Sequence, residues 1–116
     1  MIFIEYPKCT TCKKAKKFLI ENNIEFIDRD IVESNPTKEE LKLWIEKSGL
    51  PINKFFNTSG KLYREMGLKD KVRVLEQDEL LDILASDGML VKRPILINDN
   101  KVLVGFKEED WTNAIK

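Results

Sequence analysis

The chain has 116 residues, a length that suits one domain and can bury a core without a metal or a disulfide framework. Hydrophobic residues make up 42% and charged residues 34%, and 20 basic side chains balance 20 acidic ones, so bulk charge gives no reason to expect direct nucleic-acid binding. Two cysteines and no histidine exclude a Ser-His-Asp triad and a Cys-His dyad, and they argue against a zinc site, which needs about four ligands.

Ile2 to Tyr6 is a short apolar run stopped by Pro7 and predicts a strand. It starts without a basic region or a long apolar run, so no signal peptide is expected. No stretch reaches the roughly 18 apolar residues of a membrane span. The expected compartment is the cytoplasm, where two cysteines are redox-active or metal-binding rather than structural. Thr10 to Asn22 predicts a helix, with Cys12, Ala15 and Leu19 on one face and lysines on the other. Glu25 to Ile31 predicts a second strand, parallel to the first through a right-handed crossover.

Thr37-Lys38-Glu39-Glu40 is a capping box that opens a helix with Leu41, Trp44 and Ile45 inward, closed at Ser48-Gly49. Pro51 to Gly67 reads as short helical turns carrying Phe55, Phe56, Leu62, Tyr63 and Met66. Gln77 to Ser86 predicts a further helix with Leu80, Leu81 and Leu84 inward. Ile95-Leu96-Ile97 and Val102-Leu103-Val104, joined at Asn98-Asp99-Asn100, predict an antiparallel hairpin. A terminal helix starts near Lys107, with three acidic residues in its first turn and Trp111, Ala114 and Ile115 inward. The whole is one expected α/β domain over 1–116, β-α-β then β-β-α, with a helical insert roughly at 33–90.

The chemistry centres on Cys9 and Cys12. Residues i and i+3 share a helix face about 5–6 Å apart at Cβ, within reach of a disulfide. Cys9 falls at the strand-to-helix junction, where unpaired amides and the helix dipole favour a thiolate. That placement substitutes for the missing histidine base, and Cys12, one turn on, suits a resolving thiol. The plainer alternative is two core cysteines at helical spacing. Lys8, Lys13, Lys14, Lys16 and Lys17 are either a solvated face or a positive local potential. Lys92-Arg93-Pro94 either opens a strand, where proline is tolerated, or supplies a fixed charge near Cys9.

Pro7-Lys8-Cys9-Thr10-Thr11-Cys12-Lys13-Lys14-Ala15, Lys92-Arg93-Pro94-Ile95 and Leu103-Val104-Gly105-Phe106 resemble the ArsC/Spx family of arsenate reductase-like proteins. The resemblance covers essentially the whole chain. It implies a thioredoxin-like fold with a four-stranded mixed sheet, and a cis Arg93–Pro94 bond facing the Cys9 loop. It implies Cys9, Cys12 and Arg93 as catalytic residues, and Lys8, Thr10, Thr11 and Pro94 as substrate contacts, with no metal or cofactor. Its enzymes imply a small thiol or a glutaredoxin- or thioredoxin-type reductant. They also use two further arginines around the oxyanion, at positions that fall here near Asn57 and at Gly105. The Spx branch implies a redox switch that binds the C-terminal domain of the RNA polymerase α subunit. That branch's longer basic tail is not in this sequence, so the expectation lies nearest the short arsenate reductase-like members.

Overall fold

In the computed structural model, which describes residues 1–115, ten strands and α-helices follow one another, with two 3-10 turns between them. They are β1 (Ile2–Glu5), α1 (Thr10–Glu21), β2 (Ile27–Asp30), α2 (Lys38–Ser48), α3 (Lys61–Glu65), α4 (Leu68–Val74), α5 (Gln77–Ser86), β3 (Ile95–Ile97), β4 (Val102–Val104) and α6 (Glu108–Ile115). The strands form one mixed sheet in the order β2-β1-β3-β4. β1 is parallel to β2 and antiparallel to β3, and β3 is antiparallel to β4. This is the thioredoxin-like α/β arrangement that the sequence predicts.

Side chains alternate along a strand, and β1 lies inside the sheet, so it feeds two cores. Ile4 joins Ile31, Leu41, Phe55, Leu81, Leu84 and Ile95 on the face covered by the helical segment. Phe3 joins Ala15, Phe18, Leu19, Leu96 and Trp111 on the face covered by α1 and α6. Phe3 and Ile4 are fully buried, and each contributes on the order of 1.5–3 kcal/mol by leaving water. Glu5, next in β1, belongs to the Phe3 face and is a buried charged residue at 3% exposure.

Several boundaries differ from expectation. β1 stops at Glu5, because its ladder with β2 ends at the Glu5–Asp30 pair. β2 spans Ile27–Asp30 rather than Glu25 to Ile31, since it is an edge strand with Ile27 66% exposed. α1 ends one residue early, with Asn22 as its C-cap. The stretch from Pro51 to Gly67 holds a 3-10 turn (Ile52–Phe55) and α3, as expected. α4 is not foreseen by the sequence pattern. Leu68 is its buried residue and Val74 is 79% exposed, so its apolar stripe is too thin to read.

The capping box at α2 forms as predicted. Thr37 Oγ1 accepts from the Glu40 amide at 3.1 Å, and Glu40 Oε1 accepts from the Thr37 amide at 3.0 Å. Glu40 also takes both arms of Arg29 from β2 at 2.7 and 2.8 Å, which ties the helical segment to the sheet. A 3-10 turn at Gly88–Leu90 passes so close to the sheet that a Cβ on Gly88 would lie 1.8 Å from the Ile31 carbonyl oxygen. None of the helices described is long and apolar enough to cross a membrane.

Candidate thiol site

The β1–α1 junction fixes the first cysteine. The Cys9 amide donates to the Tyr6 carbonyl at 2.9 Å, and the Cys9 carbonyl accepts from the Lys13 amide at 3.1 Å. Cys9 is therefore the N-cap of α1, with extended backbone (φ −84°, ψ 123°) and no side-chain cap bond. Its sulfur stands at the positive end of the helix, and the first turn holds no acidic residue to cancel that field. Cys12 lies one turn on and is fully buried. Both are free thiols.

The two sulfurs are shifted in opposite directions. Partial burial opposes a thiolate at Cys9, but three donors and one charge outweigh it. The nearby Cys12 amide and thiol and the Arg93 N–H and charge all favour the anion, so the Cys9 thiol falls below its ordinary value. Cys12 is pushed up to about 12, first by burial and then by the neighbouring Cys9 sulfur. The Tyr6 amide beside Cys12 is the second-largest influence and opposes that rise.

Arg93 reaches this junction from the segment before β3, through a cis Arg93–Pro94 bond. Its guanidinium carbon sits 5.0 Å above the Tyr6 ring. Its Nη1 is buried and has no acceptor of hydrogen-bond geometry within the described residues. A buried, charged donor without a partner is costly, and an anion beside Cys9 would satisfy it. Pro94 is buried, and its carbonyl accepts from the Gly105 amide at 2.8 Å, which latches the loop after β4 to the segment before β3. Trp111 Nε1 in turn donates to the Gly105 carbonyl at 3.1 Å.

Cys9 opens into a cleft of about 300 Å³. Thr11 and Arg93 line it, together with Asn57, Ser59, Lys92, Gly105, Phe106 and Lys107. Of the residues expected to contact substrate, only Thr11 lines the cleft. Lys8 and Thr10 are exposed beside it, and Pro94 is buried behind Arg93. The lysines of α1 divide: Lys13, Lys14 and Lys17 are exposed, while Lys16 turns back to carboxylates of β1 and β2.

Asn57 and Gly105 both line the cleft. Gly105 has φ +75°, where a side chain is strained, and a Cβ there would lie 3.1 Å from Lys92 Cε. Sequence reading passed over Tyr6, Ser59, Lys107 and Glu5. An acidic residue in an otherwise apolar strand was the available signal for Glu5. No group of three or more His, Cys, Asp or Glu residues among those described could hold a metal ion.

The sequence model of the ArsC family matches residues 4–114. The Bacillus subtilis protein YusI is 54% identical over 96% of this chain and 94% of its own length. The regulatory protein MgsR of Bacillus subtilis is 30% identical over 91% of this chain and 82% of its own. The global transcriptional regulator Spx of Streptococcus pyogenes is 25% identical over 90% and 76%. Among solved structures, an ArsC family related protein from Bacteroides fragilis superposes with a TM-score of 0.94 at 54% identity, covering 97% of this chain and 94% of that one. An arsenate reductase from Vibrio cholerae superposes with a TM-score of 0.84 at 26% identity, covering 97% of each.

Proposed function

The chain belongs to the ArsC family, and from that premise we propose that it is a thiol–disulfide redox protein with Cys9 as nucleophile and Cys12 as resolving thiol. One observation carries this reading: two thiols one helical turn apart, the half-exposed one lowered and the buried one raised to about 12. The Cys9 thiolate attacks one sulfur of a substrate disulfide, forming a mixed disulfide and expelling the other sulfur as thiolate. Cys12 then attacks Cys9, closes the intramolecular disulfide and releases the second substrate thiol. The substrate gains two electrons and the dithiol loses two. A small thiol or a glutaredoxin- or thioredoxin-type protein restores the dithiol. Arg93 stabilises the thiolate and offers its free Nη1 to an anionic group of the substrate. The chemistry asks for no cofactor.

A redox titration in dithiol buffers tests it. The expected result is a single two-electron transition, about 30 mV per decade, lost in Cys12→Ser. Absence of a Cys9–Cys12 disulfide over the whole range would rule the reading out.

The likeness to MgsR and Spx supports a second reading, in which the same disulfide switches a binding surface for the C-terminal domain of the RNA polymerase α subunit. Binding to that domain in one redox state and not the other supports it. Binding in neither state removes it. Reduction of arsenate itself is the least favoured activity, because Asn57 and Gly105 leave the oxyanion only Arg93 among the three arginine positions.

A further inference from the structure

The proposed mechanism leaves one chemical debt. Cys12 attacks as a thiolate, yet burial and the Cys9 sulfur hold it as a thiol, and no imidazole exists in the chain to take its proton. The surroundings of β1 contain a candidate base. Glu5 is 3% exposed, and its Oε2 lies 3.3 Å from Lys16 Nζ at an angle that leaves it without a hydrogen bond. Lys16 also contacts Asp28 Oδ2 of β2 at 2.6 Å.

The position of this cluster relative to Cys12 follows from two adjoining contacts between β1 and α1. Glu5 meets Lys16, which is i+4 from Cys12 on α1, and Phe3, on the same face of β1 as Glu5, packs in one cluster with Ala15, which is i+3 from Cys12. Residues four apart are neighbours on one helix face. Glu5 and Cys12 therefore face the same layer between β1 and α1, the one that holds Phe3 and Ala15.

We propose that Glu5 is the proton acceptor for Cys12 when the mixed disulfide on Cys9 is resolved. This rests on the thiol–disulfide reading above. The S–H proton of Cys12 passes to the Glu5 carboxylate as the Cys12 sulfur attacks Cys9, and the substrate sulfur leaves with the bonding pair. The neutral Glu5 carboxyl then loses its proton to solvent, past the half-exposed Lys16.

The charge balance suits the task. The Glu5 carboxyl is raised to about 7, first by burial, then by a hydrogen bond to Asp28 and by the Asp28 charge, with Lys16 pulling the other way. Asp28 is lowered by sharing the Glu5 proton and by Lys16, which together outweigh its burial. The remaining acid near this end of β2, Asp30, is engaged by the Val32 and Glu33 amides, and β3 presents Ile95 to β1. A base that titrates near the working pH is the kind that gives general base catalysis its largest effect, typically 10²–10⁴-fold.

The test uses the full chain and the disulfide reagent DTNB, which releases one chromophore when Cys9 is modified and a second when Cys12 resolves the adduct. In wild type the second phase should quicken with rising pH, with an inflection near 7. In Glu5→Gln the first phase should be unchanged. The second should fall by about 10²-fold at pH 7 and follow hydroxide without that inflection. Glu5→Asp should recover part of the rate and the inflection, which a packing role would not produce. A second phase in folded Glu5→Gln within twofold of wild type from pH 5.5 to 9 would overturn the inference. If Glu5→Gln does not fold, Glu5→Asp decides: a second phase at the full wild-type rate at every pH, with loss of stability alone, overturns it. Failure of the underlying reading looks different, since wild type would then show no second phase, or Cys12→Ser would keep it.

Discussion

Replacing Cys9 with serine isolates the buried thiol and asks whether burial alone silences it. A thiol titrating at about 12 is roughly one part in 10⁵ thiolate at pH 7, against a few per cent for a free cysteine at about 8.5. The ratio is about three orders of magnitude in reactivity toward iodoacetamide. Serine removes the part of the shift that the Cys9 sulfur causes, but burial is the larger cause and remains, so at least about two orders should survive. Intact-mass kinetics at pH 7 would show wild type taking one adduct rapidly, at Cys9, and Cys9→Ser taking its adduct more than a hundredfold slower than the same variant in urea. The residual native rate would then report opening of α1 and climb with denaturant. Native labelling of Cys9→Ser within tenfold of the unfolded control would refute the asymmetry between the sulfurs, and the nucleophile–resolver assignment with it.

Two further outcomes follow from named contacts. Arg93→Gln removes a charge and a charge-assisted donor worth about 1.5–3 kcal/mol to the Cys9 thiolate, so alkylation of Cys9 at pH 7 should slow at least about tenfold. An unchanged rate would mean that the helix terminus alone activates the sulfur. Glu40 is lowered to about 2, chiefly by Arg29, so its folded value lies below its unfolded one. Its contribution is present above pH 4.5 and is lost as pH falls toward 2. Because a third of the Glu40 side chain is exposed, solvent screening reduces that contribution to about 1–2 kcal/mol. Urea midpoints of wild type and Glu40→Gln should differ at pH 6, draw together below pH 4.5 and meet only as pH approaches 2, and a constant difference would contradict the pairing.

The sequence carried the order of elements along the chain, the helix-opening cysteines and the capping box, because each is a local pattern. Cys9 next to Pro7 and before an amphipathic run can only open a helix, and Thr37 with Glu40 can only cap one. What stayed hidden depends on distant residues. Arg93 was readable as a candidate charge near Cys9, but spacing alone could not place it across 84 positions; the β1–β3 pairing, Ile4 opposite Ile95, brings its segment to the cysteine loop. The Glu5–Lys16–Asp28 cluster joins three elements, and in sequence Lys16 looks like one more lysine on a solvated face. α4 was missed for the opposite reason, since its packing rests mainly on Leu68 and leaves no period to detect.

The geometry also separates two properties that family resemblance would carry together. Activation of Cys9 depends on the α1 N-terminus, the Cys12 amide and Arg93, all of which are present. Grip on a compact oxyanion would depend on further arginines, and at Gly105 the backbone itself opposes one. With φ +75° any side chain is strained, and its first carbon would meet Lys92 at 3.1 Å. The positive charge in the cleft is instead carried by Lys92 and Lys107, flexible point charges that attract an anion without fixing its orientation. The cleft of about 300 Å³ thus brings one guanidinium and two lysines to Cys9. The groups that lower the Cys9 thiol are therefore present at this site without further arginines lining the cleft.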